Sequence, residues 1–178
     1  IEKQAEKSMA LVVVGGGRRS GKSRYAHAIA SAHGPRLAFI GTMRPEDDEE
    51  NPGKIATARE ERGSSFVTYE EPLDIVKVIE DRAEVFDAIV VDDLTVWVSN
   101  LVMTGTRDPE REAGRFLDLA PRCGAELVVV TSDVDFGFPV DGAASRQMRR
   151  IAGLINRKAA EQASRLYWMV FGIPKRIR

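Results

Sequence analysis

Short, almost purely apolar runs punctuate the chain at Leu11 to Val14, Leu37 to Ile40, Phe66 to Tyr69, Ala88 to Val91, Leu127 to Val130 and Leu166 to Phe171. Their brevity and β-branched content predict strands. Between them, Gly21 to Ala32, Leu73 to Val85, Leu94 to Met103, Pro109 to Leu119 and Gly142 to Arg165 place Ala, Leu and Ile at three-to-four spacing among charged residues. That period predicts helices with one buried face, and Gly34 is placed to stop the first of them. Because the strands are apolar throughout rather than at alternate positions, both of their faces must be covered. The expected class is α/β: a mostly parallel sheet with helices on both faces. No internal repeat is visible.

One stretch breaks the alternation. Arg44 to Gly53 reads RPEDDEENPG, with two prolines and consecutive acidic residues from Glu46 to Glu50. It predicts a loop, either a solvated acidic connection or a flap beside a ligand.

The chain of 178 residues suits one core, and its 43% hydrophobic and 30% charged content excludes disordered and low-complexity classes. We expect Ile1 to Ser8 to be a linker or leftover segment and residues 9–178 to form one nucleotide-binding domain. With 26 Lys+Arg against 27 Asp+Glu the net charge is -1, so no bulk attraction to nucleic acid or to an anionic membrane is expected. Phosphate binding, if any, must be local. The lone Cys123 has no partner for a disulfide, which fits a reducing cytoplasm, and no apolar run approaches the length of a membrane helix.

The local feature is Gly16-Gly17-Arg18-Arg19-Ser20-Gly21-Lys22-Ser23, which fits G-x-x-x-x-G-K-[ST] between a predicted strand and a predicted helix. In such a P-loop the glycines let backbone N–H groups turn toward phosphate oxygens, and the following helix adds its unpaired donors and positive end. Lys22 supplies a cation at the β/γ-phosphates, and Ser23 offers a hydroxyl to Mg²⁺. The second protein contact to the metal in such sites is a carboxylate at the end of a neighbouring apolar strand. Ala88 to Val91 followed by Asp92 provides it. Asp93 comes next, and the strand register favours Asp92. With such carboxylates and no His/Cys cluster, magnesium is expected rather than zinc. His27 and His33 read as ordinary residues of the first helix and its end, and Trp97 and Trp168 as packing residues, with a substrate contact kept open for Trp97.

These residues resemble a known family, the bifunctional adenosylcobinamide kinase and adenosylcobinamide-phosphate guanylyltransferase of cobalamin biosynthesis. The likeness runs from Leu11 to the C-terminus. Gly16 to Ala26, GGRRSGKSRYA, is similar to the family's G-G-x-R-S-G-K-S-R, including Arg19 and Arg24, which a generic P-loop does not require. Asp92 to Leu101, DDLTVWVSNL, is similar to D-C-L-T-x-W-x-S-N-L. Val130 to Val140 and Arg146 to Arg157 more weakly resemble a T-N-E-V-G-x-G segment and a helix with F-R-D-x-x-G-x-x-N-Q.

The resemblance implies an enzyme that uses ATP or GTP to phosphorylate the cobinamide side-chain hydroxyl and then transfers GMP onto that phosphate through a guanylylated histidine. It implies Lys22 and Asp92 as catalytic residues, Ser23 and Asp92 as Mg²⁺ ligands, and a homotrimer. Nucleotide contacts would come from Gly16 to Ser23, from a lid beginning at Thr42, and from Arg59, Arg62 and Glu70. The family's R-I-x-x-H-[RK]-x-x-R-P-x-x-W-x-T-x-E corresponds to Lys54 to Glu70, and Ala58 stands at the histidine. A methyl group can neither attack the α-phosphate nor leave again, and the always-protonated Arg59 cannot replace imidazole. Gly63, Phe66, Arg150 and Arg157 also depart from the pattern. Phosphoryl transfer rests on positioning and charge, so it survives this loss. The rival readings are another small-molecule P-loop kinase and a nucleotide-binding domain that has lost catalysis. Asp93 and Asp133 are candidates, by position, for the base that activates the acceptor.

Overall fold

The computed structural model describes residues 11–44, 65–133 and 142–178. Six strands and five helices fall on the predicted alternation: β1 (Leu11–Gly16), α1 (Lys22–Ser31), β2 (Leu37–Gly41), β3 (Phe66–Glu70), α2 (Ile75–Arg82), β4 (Ala88–Asp92), α3 (Leu94–Thr104), α4 (Pro109–Leu119), β5 (Glu126–Thr131), α5 (Ala143–Gln162) and β6 (Arg165–Val170). A seventh strand, β7 (Ile173–Arg176), was not expected. It folds back antiparallel on β6, and all four of its residues are exposed, so no apolar run marks it.

The sheet order is β3-β2-β4-β5-β1-β6-β7, with every pair parallel except β6 and β7. This is a P-loop NTPase-like α/β fold. One expectation needs correcting: β4, which carries Asp92, is not the neighbour of β1, because β5 lies between them. Strand order is set by which helices cross over, and an apolar run carries no record of that.

Period-two geometry splits the core in two. Leu11, Val13, Ile89, Val91, Leu127 and Val129 point to one face and pack with Ile75 and Ile79 of α2, Trp97 and Leu101 of α3, Phe116 of α4 and Ile155 of α5. Val12, Val14, Val90, Val128 and Val130 point to the other, against Ala26 and Ala30 of α1. Alanines on α1 let that helix lie close to the strand ends it follows. His27 packs here, its ring centroid 5.4 Å from that of Phe39 and 5.3 Å from that of Phe66. His33 lies past the end of α1, beside Glu126 and Arg165. His27 is accounted for by ring packing and His33 by its polar contacts, as ordinary residues of the first helix and its end.

Trp97 is fully buried, 5.8 Å centroid to centroid from Phe116, and its Nε1 donates to the Leu73 carbonyl at 2.9 Å. It is a core residue rather than a substrate contact. Trp97→Ala should cost about 3–5 kcal/mol, the usual range for a large core aromatic. Urea unfolding measures the loss, and nucleotide affinity of the folded protein should not change.

Candidate functional site

The C-terminal ends of β1, β4 and β5 and the start of α1 form the site. β1 ends at Gly15 and Gly16, and both need to be glycine. A side chain on Gly15 would begin 2.8 Å from the Trp168 ring, and one on Gly16, at φ 151°, would begin 2.8 Å from Ser20 Oγ. The loop from Gly17 to Gly21 then turns into α1. Gly21 sits in the left-handed region at φ 92° and caps α1 with no side-chain hydrogen bond. By contrast, α3 and α4 are capped by Asp93 and Asp108. The first-turn N–H groups of α1 therefore keep their donors for an anion.

Gly17, Arg18, Arg19 and Ser23 are exposed around this turn, and Arg19 holds a left-handed φ of 57°. Lys22 is buried, and its ammonium donates to the Gly17 carbonyl at 2.8 Å, which fixes the charge over the loop. Ser20 Oγ is buried with no hydrogen-bond partner, the sort of atom that a phosphate oxygen would satisfy.

Opposite the loop, Asp92 closes β4 half-buried, in register with Gly41 and Val130. Asp93 has a different job. Its Oδ1 caps α3, accepting from the N–H groups of Thr95 at 2.6 Å and Val96 at 3.0 Å, and its Oδ2 accepts from Ser132 Oγ at 3.0 Å. Burial pushes the Asp93 carboxyl above the usual carboxylate range, against the opposing effects of those donors and of the Lys22 charge. The influence of Lys22 on Asp93 also joins the strand end to the loop electrostatically.

Thr42, expected as a nucleotide contact, is fully buried. Its hydroxyl donates to the Asp93 carbonyl at 2.9 Å and accepts from the Asp93 N–H at 2.8 Å. The Thr42 carbonyl accepts from Asn100 Nδ2 at 2.7 Å, and the same Nδ2 reaches the Pro72 carbonyl at 3.1 Å. Thr42 therefore shapes the site from beneath. Glu70 ends β3 in register with Gly41, its carboxylate lying against the Gly41 α-carbon. Arg59, Arg62, Ala58 and the acidic stretch Glu46 to Glu50 fall outside the described residues.

The structure adds residues that the sequence reading did not select. Thr131 and Ser132, at the end of β5, join Thr95 and Asn156. Thr131 Oγ1 donates to Asn156 Oδ1 at 2.6 Å and lies 3.1 Å from Thr95 Oγ1. Asn156 Nδ2 donates to the Ser132 carbonyl at 3.1 Å, and the Ser132 N–H donates to Thr95 Oγ1 at 3.0 Å. This network pins α3, β5 and α5 to one another directly beside Asp93. Its members sit inside three of the four family-like segments, and that was the only signal available for them. Arg150, one of the departures from the family pattern, makes a surface ion pair from α5 to Glu110 of α4.

The family model for cobinamide kinase / cobinamide phosphate guanyltransferase matches residues 12–177. The chain belongs to this family. It is 32% identical over 162 residues to the bifunctional adenosylcobalamin biosynthesis protein CobP of Pseudomonas aeruginosa, covering 89% of this chain and 92% of that protein. To the bifunctional adenosylcobalamin biosynthesis protein CobU of Salmonella typhimurium it is 30% identical over 182 residues, covering 94% and 99%. Among solved structures, the flagellar accessory protein FlaH of Methanocaldococcus jannaschii superposes with a TM-score of 0.56 at 13% identity, over 96% of this chain and 79% of that one. That likeness extends to the fold alone.

The raised Asp93 carboxyl has a consequence for stability with a definite sign. A folded-state value above the unfolded one means that the native protein binds the proton more tightly, so stability falls as pH rises through that window. Asn caps helices as well as Asp does. Asp93→Asn should therefore lack this fall, and its stability relative to the parent should rise as pH climbs from about 4, the ordinary carboxylate value. Urea unfolding of both proteins across pH 4 to 8 tests it; a pH-independent difference would remove burial as the cause.

Proposed function

We propose that this protein transfers the γ-phosphoryl group of ATP or GTP to a cobinamide hydroxyl, and that it has given up guanylyl transfer through histidine. The observation that carries the first half is the pairing of a buried, loop-anchored Lys22 and an uncapped α1 N-terminus with Asp92 and Asp93 on the same sheet edge. Membership of the family supplies the acceptor class. Ala58 in place of the histidine carries the second half.

The loop amides and the start of α1 hold the triphosphate, and Lys22 moves from the Gly17 carbonyl onto the β/γ oxygens, where negative charge gathers as the bridging bond breaks. Ser23 and Asp92 form an all-oxygen donor pair that fits Mg²⁺, a hard cation that keeps most of its waters. When bound, the metal would neutralise charge on the β- and γ-phosphates. The acceptor oxygen forms a bond to the γ-phosphorus as the β–γ bridging bond breaks, releasing the nucleoside diphosphate. The hydroxyl proton passes to a carboxylate. Asp93 and Asp133 are the candidates by position, and we assign this role to Asp133, two residues past the end of β5 and next in the chain after Ser132. Thr42 and Ser132 hold Asp93 and thereby the end of β4. The reading includes a cytoplasmic location, where the triphosphate donor is made, and a homotrimer whose mass sedimentation equilibrium would give.

Incubation of the protein with cobinamide and GTP labelled separately at the α- and γ-positions tests the proposal. The γ-label should move to the corrinoid, and no α-label should remain on the denatured protein. Lys22→Ala should abolish both transfer and nucleotide-dependent thermal stabilisation. Nucleotide binding with no transfer to any corrinoid would select the binding-only reading, and acid-labile α-label on the protein would restore the nucleotidyl step.

The metal assignment has its own test. Asp92→Asn should weaken the Mg²⁺ dependence of nucleotide affinity more than Asp93→Asn, as titration of Mg²⁺ at fixed nucleotide would show; the reverse ranking moves the ligand to Asp93.

A further inference from the structure

The turn between β6 and β7 carries a residue that folding alone does not explain. Val170 pairs with Ile173, leaving Phe171 and Gly172 as a two-residue hairpin loop with φ values of 48° and 83°. Both are in the left-handed region, the pattern of the type I′ turn, which favours Asn-Gly because side chains strain there. Gly172 fits and Phe171 does not. The ring is also 98% exposed, the most exposed large apolar side chain among the described residues. An aromatic ring held in strained backbone and in water gains nothing from the hairpin itself.

Its surroundings suggest what it gains. The Gly172 N–H donates to the Ser20 carbonyl at 3.1 Å, and the Gly172 α-carbon lies 3.6 Å from where a side chain on Gly21 would begin. Met169 packs against Gly16 from the same hairpin. The hairpin tip is thus fastened to the phosphate loop. Sheet order fixes the side: β5 and then β4, with Asp92, lie on one flank of β1, and β6 and β7 on the other. A triphosphate whose γ-end lies toward Lys22 and Asp92 can run its nucleoside away from β4, toward the hairpin, a direction that leaves Glu70 of β3, which the resemblance offered as a nucleotide contact, on the opposite flank.

We propose that Phe171 is the stacking platform for the purine base of the nucleotide bound at the Gly16 to Ser23 loop. The proposal rests on the nucleotide reading given above and assigns that site its base contact. A π-face accepts adenine and guanine alike, so the platform would serve ATP and GTP without choosing between them.

Binding of ATP, GTP and inorganic tripolyphosphate, each with Mg²⁺, to the parent, Phe171→Ala, Phe171→Trp and Lys22→Ala proteins by calorimetry separates the possibilities. Phe171→Ala should weaken ATP and GTP about tenfold, the scale of one lost base–aromatic stack. It should leave tripolyphosphate unchanged, and Phe171→Trp should restore nucleotide affinity. Lys22→Ala should weaken all three. Equal losses for tripolyphosphate and nucleotides in Phe171→Ala would mean that the hairpin only shapes the loop, and would overturn the proposal. Unchanged nucleotide affinity with a shift in sedimentation would make the occupant a second copy of the chain, and would overturn it also. Failure of the parent protein to bind any of the three would overturn the nucleotide reading itself, and the platform with it.

Discussion

The geometry of the site depends on one clasp: the hydroxyl of Thr42 bridging both backbone groups of Asp93. β2 and β4 are paired up to Gly41 and Asp92, the Thr42 N–H adds one more bond to the Asp92 carbonyl at 3.0 Å, and beyond that the sheet's own hydrogen bonds give out. Exposed strand ends would splay there, since each unpaired N–H and C=O seeks water. Thr42 replaces the missing ladder bonds with a side chain. The Asp93 carboxylate then passes the constraint on, to α3 through the cap and to β5 through Ser132. Three strands and a helix are locked at the edge where a transferring phosphoryl group needs fixed charges. The cost is a carboxylate held above its usual range, paid for by the donors around it.

Much of this was legible in the chain because parallel strands covered on both faces leave an unmixed apolar signature. Leu11 to Val14 and Ala88 to Val91 could hardly be anything else, whereas the capping of α3 by Asp93 emerged only from the structure. What stayed hidden shares a physical cause. β7 is an exposed edge strand containing Pro174, so neither hydrophobicity nor alternation marks it. The place of β5 between β1 and β4 is a property of crossovers. Thr131, Ser132 and Asn156 are small polar residues of a common kind, and only folding brings them within 3.1 Å of one another. Thr42 shows the converse. The family resemblance offered it for ligand contact, as the start of a lid after β2, whereas the structure buries it and bonds its hydroxyl to both backbone groups of Asp93.

The phosphate loop is held from two directions that differ in kind. On the β5 side its surroundings are polar and directional: Lys22, Asp93 and the threonine network. On the β6 side they are steric and apolar, with the Trp168 ring over Gly15 and Met169 against Gly16. The division suits a nucleotide, whose phosphates need charges and donors while its base needs a face. It also explains why glycine is demanded at both Gly15 and Gly16: the packing that secures the loop leaves no room for a methyl group on either.

Loss of the histidine at position 58 need not undermine this arrangement, because the two reactions in the family's name make different demands on the chain. Nucleotidyl transfer through a covalent intermediate needs one particular nitrogen, which Ala58, at the position of the family's histidine, does not supply. Phosphoryl transfer draws on a set of preorganised charges and amides, each of which contributes part of the stabilisation. The loop, the Lys22 anchor, the Thr42 clasp and the Asp93 cap are all in place. Asp93 itself stands where the family's pattern has Cys, so the cap on α3 and the bond to Ser132 Oγ are made by a residue particular to this chain, beside a Lys22 charge that opposes the effect of burial on its carboxyl.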